Sequence, residues 1–120
     1  MSTHFHLFVY GSLRRNGSAA GRLASSEWLG EATVGGVLYD MEGDFTALVL
    51  YGNTPVHGEV WKCPAELLSG LDEYERVDEG LFRRVGVEVR MENGSTQGCW
   101  TYVAGPRLSR KLTPARRINV

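Results

Sequence analysis

A carboxylate on the apolar side of a helix has the clearest chemical potential in this chain. The segment Pro64 to Arg76, PAELLSGLDEYER, has helical spacing, with Leu67, Leu68 and Leu71 defining an apolar face. On a wheel of about 100° per residue, Glu75 falls only about 30° from the centre of that face. Glu66 and Glu73 point the opposite way, and Asp72 lies at the border, where a solvated carboxylate costs little. A carboxylate turned toward a core must be paired, hydrogen-bonded or protonated, and desolvation raises its pKa toward the range useful to a general base. The alternative is a frayed helix end that lets Glu75 reach water or pair with Arg83 or Arg84.

The second feature is Phe5 to Leu13, FHLFVYGSL. Phe5, Leu7 and Val9 alternate with Phe8 and Tyr10, the pattern of a buried strand, and the run stops at Gly11-Ser12-Leu13. Glycine admits backbone angles closed to other residues, so several N–H groups of such a turn can point at one spot beyond the strand end and bind an anion or developing negative charge. Most strands also end in turns of this composition, so the turn alone is compatible with a purely structural role. Tyr102, near the end of the last strand, is a further candidate for substrate contact.

Other constellations carry less. His4 and His6 share a strand face at a spacing that can ligate metal, but no third ligand is nearby, and no metal site is expected. His57, Glu59 and Trp61 also share a face, which either lines a cavity or forms the polar outer side of an antiparallel strand. Trp28, Trp61 and Trp100 read as core or barrel-rim aromatics. Cys63 and Cys99 stand isolated in strand-like segments without zinc spacing or a secretory signal, which favours reduced core thiols.

The elements that must position these residues follow from the turn signals. Arg14 to Ser18 is a polar loop, and Ser18 can cap a short helix from Ala19 to about Ser26. Trp28 to Tyr39 reads as one long strand bent at Gly35-Gly36. Phe45 to Tyr51 and Val56 to Lys62 are further strands, separated by Gly52-Asn53-Thr54-Pro55. Pro64 begins the longer helix at a first-turn position where its missing N–H costs nothing. Leu81 to Met91 and Gly98 to Ala104 pair as a hairpin through Asn93-Gly94. The fold class is therefore α+β: a small, mixed, mostly antiparallel barrel of about six strands with two flanking helices.

Length and charge bound the rest. A chain of 120 residues supports one core, and 42% apolar with 22% charged residues is the composition of an ordinary soluble domain. No apolar run is long enough to span a bilayer, and the N-terminus lacks the pattern of a signal peptide, so a cytoplasmic address and no membrane partner are expected. Residues 1–104, taken as the domain, hold all 14 acidic residues, whereas residues 105–120 form a basic tail carrying Arg107, Arg110, Lys111, Arg116 and Arg117. That tail either meets an anionic partner or lies along its own acidic body. The second is favoured, and nucleic acid disfavoured, because no aromatic residue interleaves the basic ones. The oligomeric state stays open.

Taken together, YGSL at 10–13, HGEVW at 57–61, LDEYE at 71–75, GLFRR at 80–84 and WTYV at 100–103 resemble the γ-glutamylcyclotransferase-like family, in particular its short bacterial and plant members. The resemblance covers residues 7–104 and lies in the order and spacing of the motifs. It implies a small α+β barrel, substrate binding by the turn Tyr10, Gly11, Ser12 and Leu13, and Glu75 as catalytic acid/base. It also implies a reaction in which the α-amine of a small γ-glutamyl compound attacks its own γ-carbonyl and releases 5-oxoproline, with no cofactor. Three positions depart from the family pattern: Ala19 replaces a frequent polar residue, Arg76 a frequent glycine and Phe82 a frequent tyrosine. A changed pocket, or a silent barrel that binds a small anionic metabolite at the turn or acts as an interaction module, is the alternative that these departures leave open.

Overall fold

The first strand, β1 (His4–Val9), is apolar on both sides, and both sides are covered. Leu7 and Val9 join one buried cluster, Phe8 the other. The computed structural model describes residues 3–10, 20–41, 45–109 and 117–118. The remaining strands are β2 (Glu27–Gly35), β3 (Val37–Met41), β4 (Phe45–Val49), β5 (Pro55–Pro64), β6 (Phe82–Met91), β7 (Thr96–Ala104) and β8 (Arg117–Ile118). Five of them close a barrel in the order β1-β5-β2-β6-β7, and the other three form a second sheet in the order β4-β3-β8.

The barrel is mixed. β5 pairs antiparallel with β1 from His4↔Pro64 to Val9↔Glu59, and with β2 on its other side. β6 and β7 form the hairpin expected from Asn93-Gly94: Gly94 takes φ 88°, and the Asn93 Oδ1 accepts from the Ser95 N–H at 2.9 Å. A parallel bridge between Leu7 and Trp100 closes the ring. Gly58 on β5 makes room for the interior: a Cβ there would lie 2.6 Å from the Phe8 ring. Around Phe8 pack Val56, Val60, Val89, Cys99 and Val103.

Two expectations are corrected. The long strand from Trp28 to Tyr39 is two strands in different sheets, and this split together with the short β8 gives eight strands among the described residues rather than about six. The break falls at Gly36, where a Cβ would come within 2.8 Å of the Val49 carbonyl, so β3 can cross close to the chain end of β4 and leave the barrel. The helix does not begin at Pro64. That residue closes β5 in register with His4, a 3₁₀ turn follows over Ala65–Leu67, and the α-helix proper, α1, spans Leu68–Tyr74. Pairing with β1 thus overrides the proline start signal.

The expected helix near Ala19 is a single 3₁₀ turn, Ala20–Leu23, whose Leu23 is buried; Ser18 and Ala19 lie outside the described residues. Helix α1 lies on the outer face of the barrel, where Leu71 packs with Leu7, Val9, Leu23, Phe82 and Tyr102. A second short helix, α2 (Pro106–Ser109), adds Leu108 to the same cluster, 2% exposed, and β8 pairs with β3 through Leu38↔Ile118. No helix among the described residues is long and apolar enough to cross a membrane. Cys63 and Cys99 are free and buried, one in each cluster; burial pushes the Cys99 thiol up to about 12, leaving it protonated.

Candidate active site

Glu75 ends α1 rather than lying inside it. Its N–H still donates to the Leu71 carbonyl at 2.9 Å, and Arg76 then turns into the left-handed region at φ 54°, ψ 47°. Spacing of three and four residues along the helix sets Glu75 on the side of Asp72 and Leu71, against the barrel. Burial raises the Glu75 carboxyl from the usual range to about 7, and the Arg22 guanidinium works in the opposite direction. No described residue forms an ion pair with Glu75. Arg84, one of the partners considered for it, is engaged elsewhere.

Two phenols share this carboxylate's surroundings. Burial carries the Tyr10 hydroxyl far above its ordinary value; the Leu48 N–H opposes this and the Glu75 charge adds to it. Tyr102 is likewise raised, first by burial, then by its hydrogen bond to Asp72 and the Asp72 charge, with Glu75 again contributing. The carboxylate at the end of α1 is therefore electrostatically coupled to the end of β1 and to β7. The Tyr10 hydroxyl donates to the Tyr102 carbonyl at 2.5 Å and accepts from the Leu48 N–H at 3.2 Å, tying the chain just before residue 11 to two other strands. Gly11, Ser12 and Leu13 lie outside the described residues.

The structure adds to the reading of Asp72. It sits at the border as expected but is the hub of a partly buried network rather than simply solvated: Arg84 Nε donates to Oδ1 at 2.9 Å and Nη2 to Oδ2 at 3.2 Å, while the Tyr102 hydroxyl donates to Oδ1 at 2.6 Å. This is a bidentate, charge-assisted arrangement. The Arg84 guanidinium also lies 4.4 Å from the Trp100 ring centre, and Trp100 itself is 37% exposed. Arg22, likewise missed from sequence, covers the Tyr74 ring at 4.0 Å beside Glu75. Nothing in the local pattern marks Asp72, because its partners lie on β6 and β7. Arg22 is marked only by its place on the turn that carries Leu23.

The other candidates separate from this group. Glu59 shares the face of Leu7, Val9 and Trp61, is 5% exposed, and accepts from the Trp61 indole N–H at 3.3 Å, whereas His57 is exposed. Among the described residues no group of three or more His, Cys, Asp or Glu is arranged to hold a metal. A shallow groove of about 250 Å³ between β1 and β7, lined by Phe5, His6, Gly86, Gly98, Cys99 and Trp100, contains none of the coupled residues.

Comparison with known proteins identifies the architecture. A family model described as "Gamma-glutamyl cyclotransferase, AIG2-like" matches residues 7–118. The chain belongs to this family. A search of curated proteins by sequence finds no match. Among solved structures, an AIG2-like protein from Mus musculus superposes with a TM-score of 0.79 at 20% identity, over 96% of this chain and 83% of the other. An Arabidopsis thaliana protein gives 0.75 at 23% identity, over 99% and 78%. A protein named gamma-glutamyl cyclotransferase gives 0.73 at 24%, over 84% of this chain and 66% of its own length. At these identities the likeness shows the fold. Within the γ-glutamyl cyclotransferase, AIG2-like fold, the group assembled here offers a carboxyl that burial raises to about 7 and whose charge is felt by two buried phenols.

Proposed function

We propose that this chain is a γ-glutamyl cyclotransferase that releases 5-oxoproline from a small γ-glutamyl amine, peptide or biosynthetic intermediate, with Glu75 as general acid/base. The observation that supports this most is the Glu75 carboxyl, shifted to about 7 by burial and coupled to Tyr10 and Tyr102. A carboxyl in that range can take a proton from an ammonium and give one back at the same pH. The substrate's α-ammonium loses a proton to Glu75, and the freed amine attacks the γ-carbonyl of its own molecule. The C–N bond of the ring forms, the ring nitrogen gives its remaining extra proton to water, the bond to the leaving amine breaks, and Glu75 returns the proton it took to that amine. Both reacting groups belong to one molecule, so the protein's task is to hold a flexible chain folded and to stabilise the oxyanion. In this reading the N–H groups of Gly11, Ser12 and Leu13 hold the carboxylate or oxyanion, and Tyr10 and Tyr102 border the amine. No step calls for a metal or cofactor, and the expected setting is the cytoplasm.

Two departures from the family pattern fall at positions whose surroundings give them a structural role. Phe82 is buried in the cluster around Leu71, so an aromatic ring there fills core. Arg76 occupies a left-handed position at the helix end, where its side chain is exposed. The deciding experiment is a screen of γ-glutamyl amines and peptides for 5-oxoproline release by the parent and by Glu75→Gln. Release by the parent and its loss in the variant support the reading. If no compound is cyclised while a small anion still binds, the silent-barrel alternative replaces it.

A further inference from the structure

Each phenol has a single proton, and here both protons are already used. Tyr10 gives its proton to the Tyr102 carbonyl, and Tyr102 gives its own to the Asp72 carboxylate. The Tyr102 hydroxyl, bound to Asp72 one helical turn before Glu75, therefore has lone pairs and no hydrogen to offer, and the Tyr10 hydroxyl has no hydrogen left to give either. For Tyr102 this polarity is imposed from behind: Asp72 stays in place because Arg84 grips both its oxygens. We propose that Asp72, held by Arg84, is a positioning residue that turns the Tyr102 proton away from Glu75, so that Tyr102 and Tyr10 form an acceptor-only wall beside the catalytic carboxyl.

The consequence is chemical. A hydroxyl donating to Glu75 would stabilise its ionised form and make it a weaker base, whereas an acceptor does not. The same wall suits N–H donors: an ammonium before the proton is lost, and an amine afterwards. This last part rests on the cyclotransferase reading; the orientation of the Tyr102 proton does not. The charge that bears on Glu75 is that of Arg22 on the 3₁₀ turn, while the Glu75 charge in turn bears on Tyr10 at the end of β1 and on Tyr102 on β7, with Asp72 and Arg84 behind Tyr102. A plain brace between α1 and β6 would use the same contacts, but it would not make the titration of Glu75 depend on the Tyr102 hydroxyl.

That dependence is the test, and it needs no substrate. The titration of Glu75 is followed by carboxyl carbon NMR in four proteins: the parent, Tyr102→Phe, the paired substitution Asp72→Leu with Arg84→Met, and all three changes together. Replacing both members of the ion pair avoids leaving a loose Arg84 charge near the site. With the Tyr102 hydroxyl present, the paired substitution frees its proton to turn toward Glu75, and the Glu75 midpoint should fall by about one pH unit. With Phe at position 102, the same pair should leave the midpoint nearly unmoved. An equal shift in both backgrounds, or no fall in the first, overturns the proposal. Should the apolar pair not fold, Asp72→Ser with Arg84→Gln makes the same comparison. Release of 5-oxoproline is measured separately, so a failed cyclotransferase reading shows as absent turnover with the NMR cycle intact.

Discussion

The two sides of β1 lead to two very different interiors. Inward, Phe8 meets Val56, Val60, Val89, Cys99 and Val103, and the buried hydroxyl of Thr101 is satisfied by the Phe8 carbonyl at 2.9 Å. Outward, Leu7 and Val9 meet Leu71, Leu23, Leu108 and Tyr102, with Asp72 and Glu75 at the border of that cluster, while Tyr10 packs on the Phe8 side and reaches across to the Tyr102 carbonyl. The barrel interior is closed by strands, so the ionisable groups packed there, Cys99 and Tyr10, are held neutral by burial. The outer cluster is covered by the two short helices and turns, whose ends bring polar groups from different parts of the chain to one place. Desolvation and access coexist only at such a border, and that is where a shifted carboxyl can still meet a ligand.

The largest effect is expected where closure is complete. Phe8→Ala empties a site filled by an almost wholly buried ring, and it should cost about 3–5 kcal/mol in denaturant unfolding. A loss under about 1 kcal/mol would mean that the interior collapses easily and is not the rigid half of the pair. At the border the effect falls on rate instead. Glu75→Gln keeps shape and hydrogen-bonding capacity but cannot exchange a proton, so turnover of a cyclisable substrate should drop on the order of 10²-fold or more with folding unchanged. Glu73→Gln, on the exposed side of α1, is the matched control and should be nearly silent. Parent-level turnover by the Glu75 variant would remove the acid/base assignment.

How much of this contrast was legible beforehand follows from the distance over which each signal acts. The two faces of β1 and the core-facing place of Glu75 could be read, since both depend on periodicity within one element. The split at Gly36 was mistaken for a bend because the residues it approaches, Leu48 and Val49, belong to another strand. The border place of Asp72 is legible but its role is not, for the same reason: a wheel reports where a side chain points, but not that Arg84 and Tyr102 wait there. The short β8 pairing at Ile118 had no apolar alternation to announce it. Gly11 to Leu13, read as a binding turn, lies outside the described residues and stays a proposal.

A smaller effect separates the two regions by pH. Because burial holds the Glu75 carboxyl near 7 in the folded chain, against an ordinary value of 4.5, folding takes up a proton between those values. Stability therefore declines as pH rises from about 4.5 to about 7 and is level above, the reverse of a salt-bridged carboxylate. Discounted for the partial exposure of Glu75, the decline is roughly 2 kcal/mol. Glu75→Gln should abolish it, so the variant should gain on the parent between pH 5 and pH 8 in urea unfolding. An identical pH dependence in the two proteins would show that Glu75 titrates as if in water.

The smallest effect concerns the residue that ends the helix bearing Glu75. Arg76 is the only non-glycine with positive φ among the described residues, at φ 54°, ψ 47°. Its N–H donates to the Glu73 carbonyl, and its own carbonyl accepts from the Glu79 and Leu81 N–H groups, so the turn is fixed by backbone bonds that need no side chain. A Cβ in this conformation costs about 1–2 kcal/mol, and glycine would relieve that while adding roughly 0.5–1 kcal/mol of backbone entropy to the unfolded chain. Arg76→Gly should therefore stabilise by about 0.5–1 kcal/mol and leave the Glu75 titration in place, since the helix end keeps its geometry. A loss of stability on substitution would mean that the exposed Arg76 side chain makes a contact worth more than the strain, and the helix end would then be set by that contact and not by the backbone.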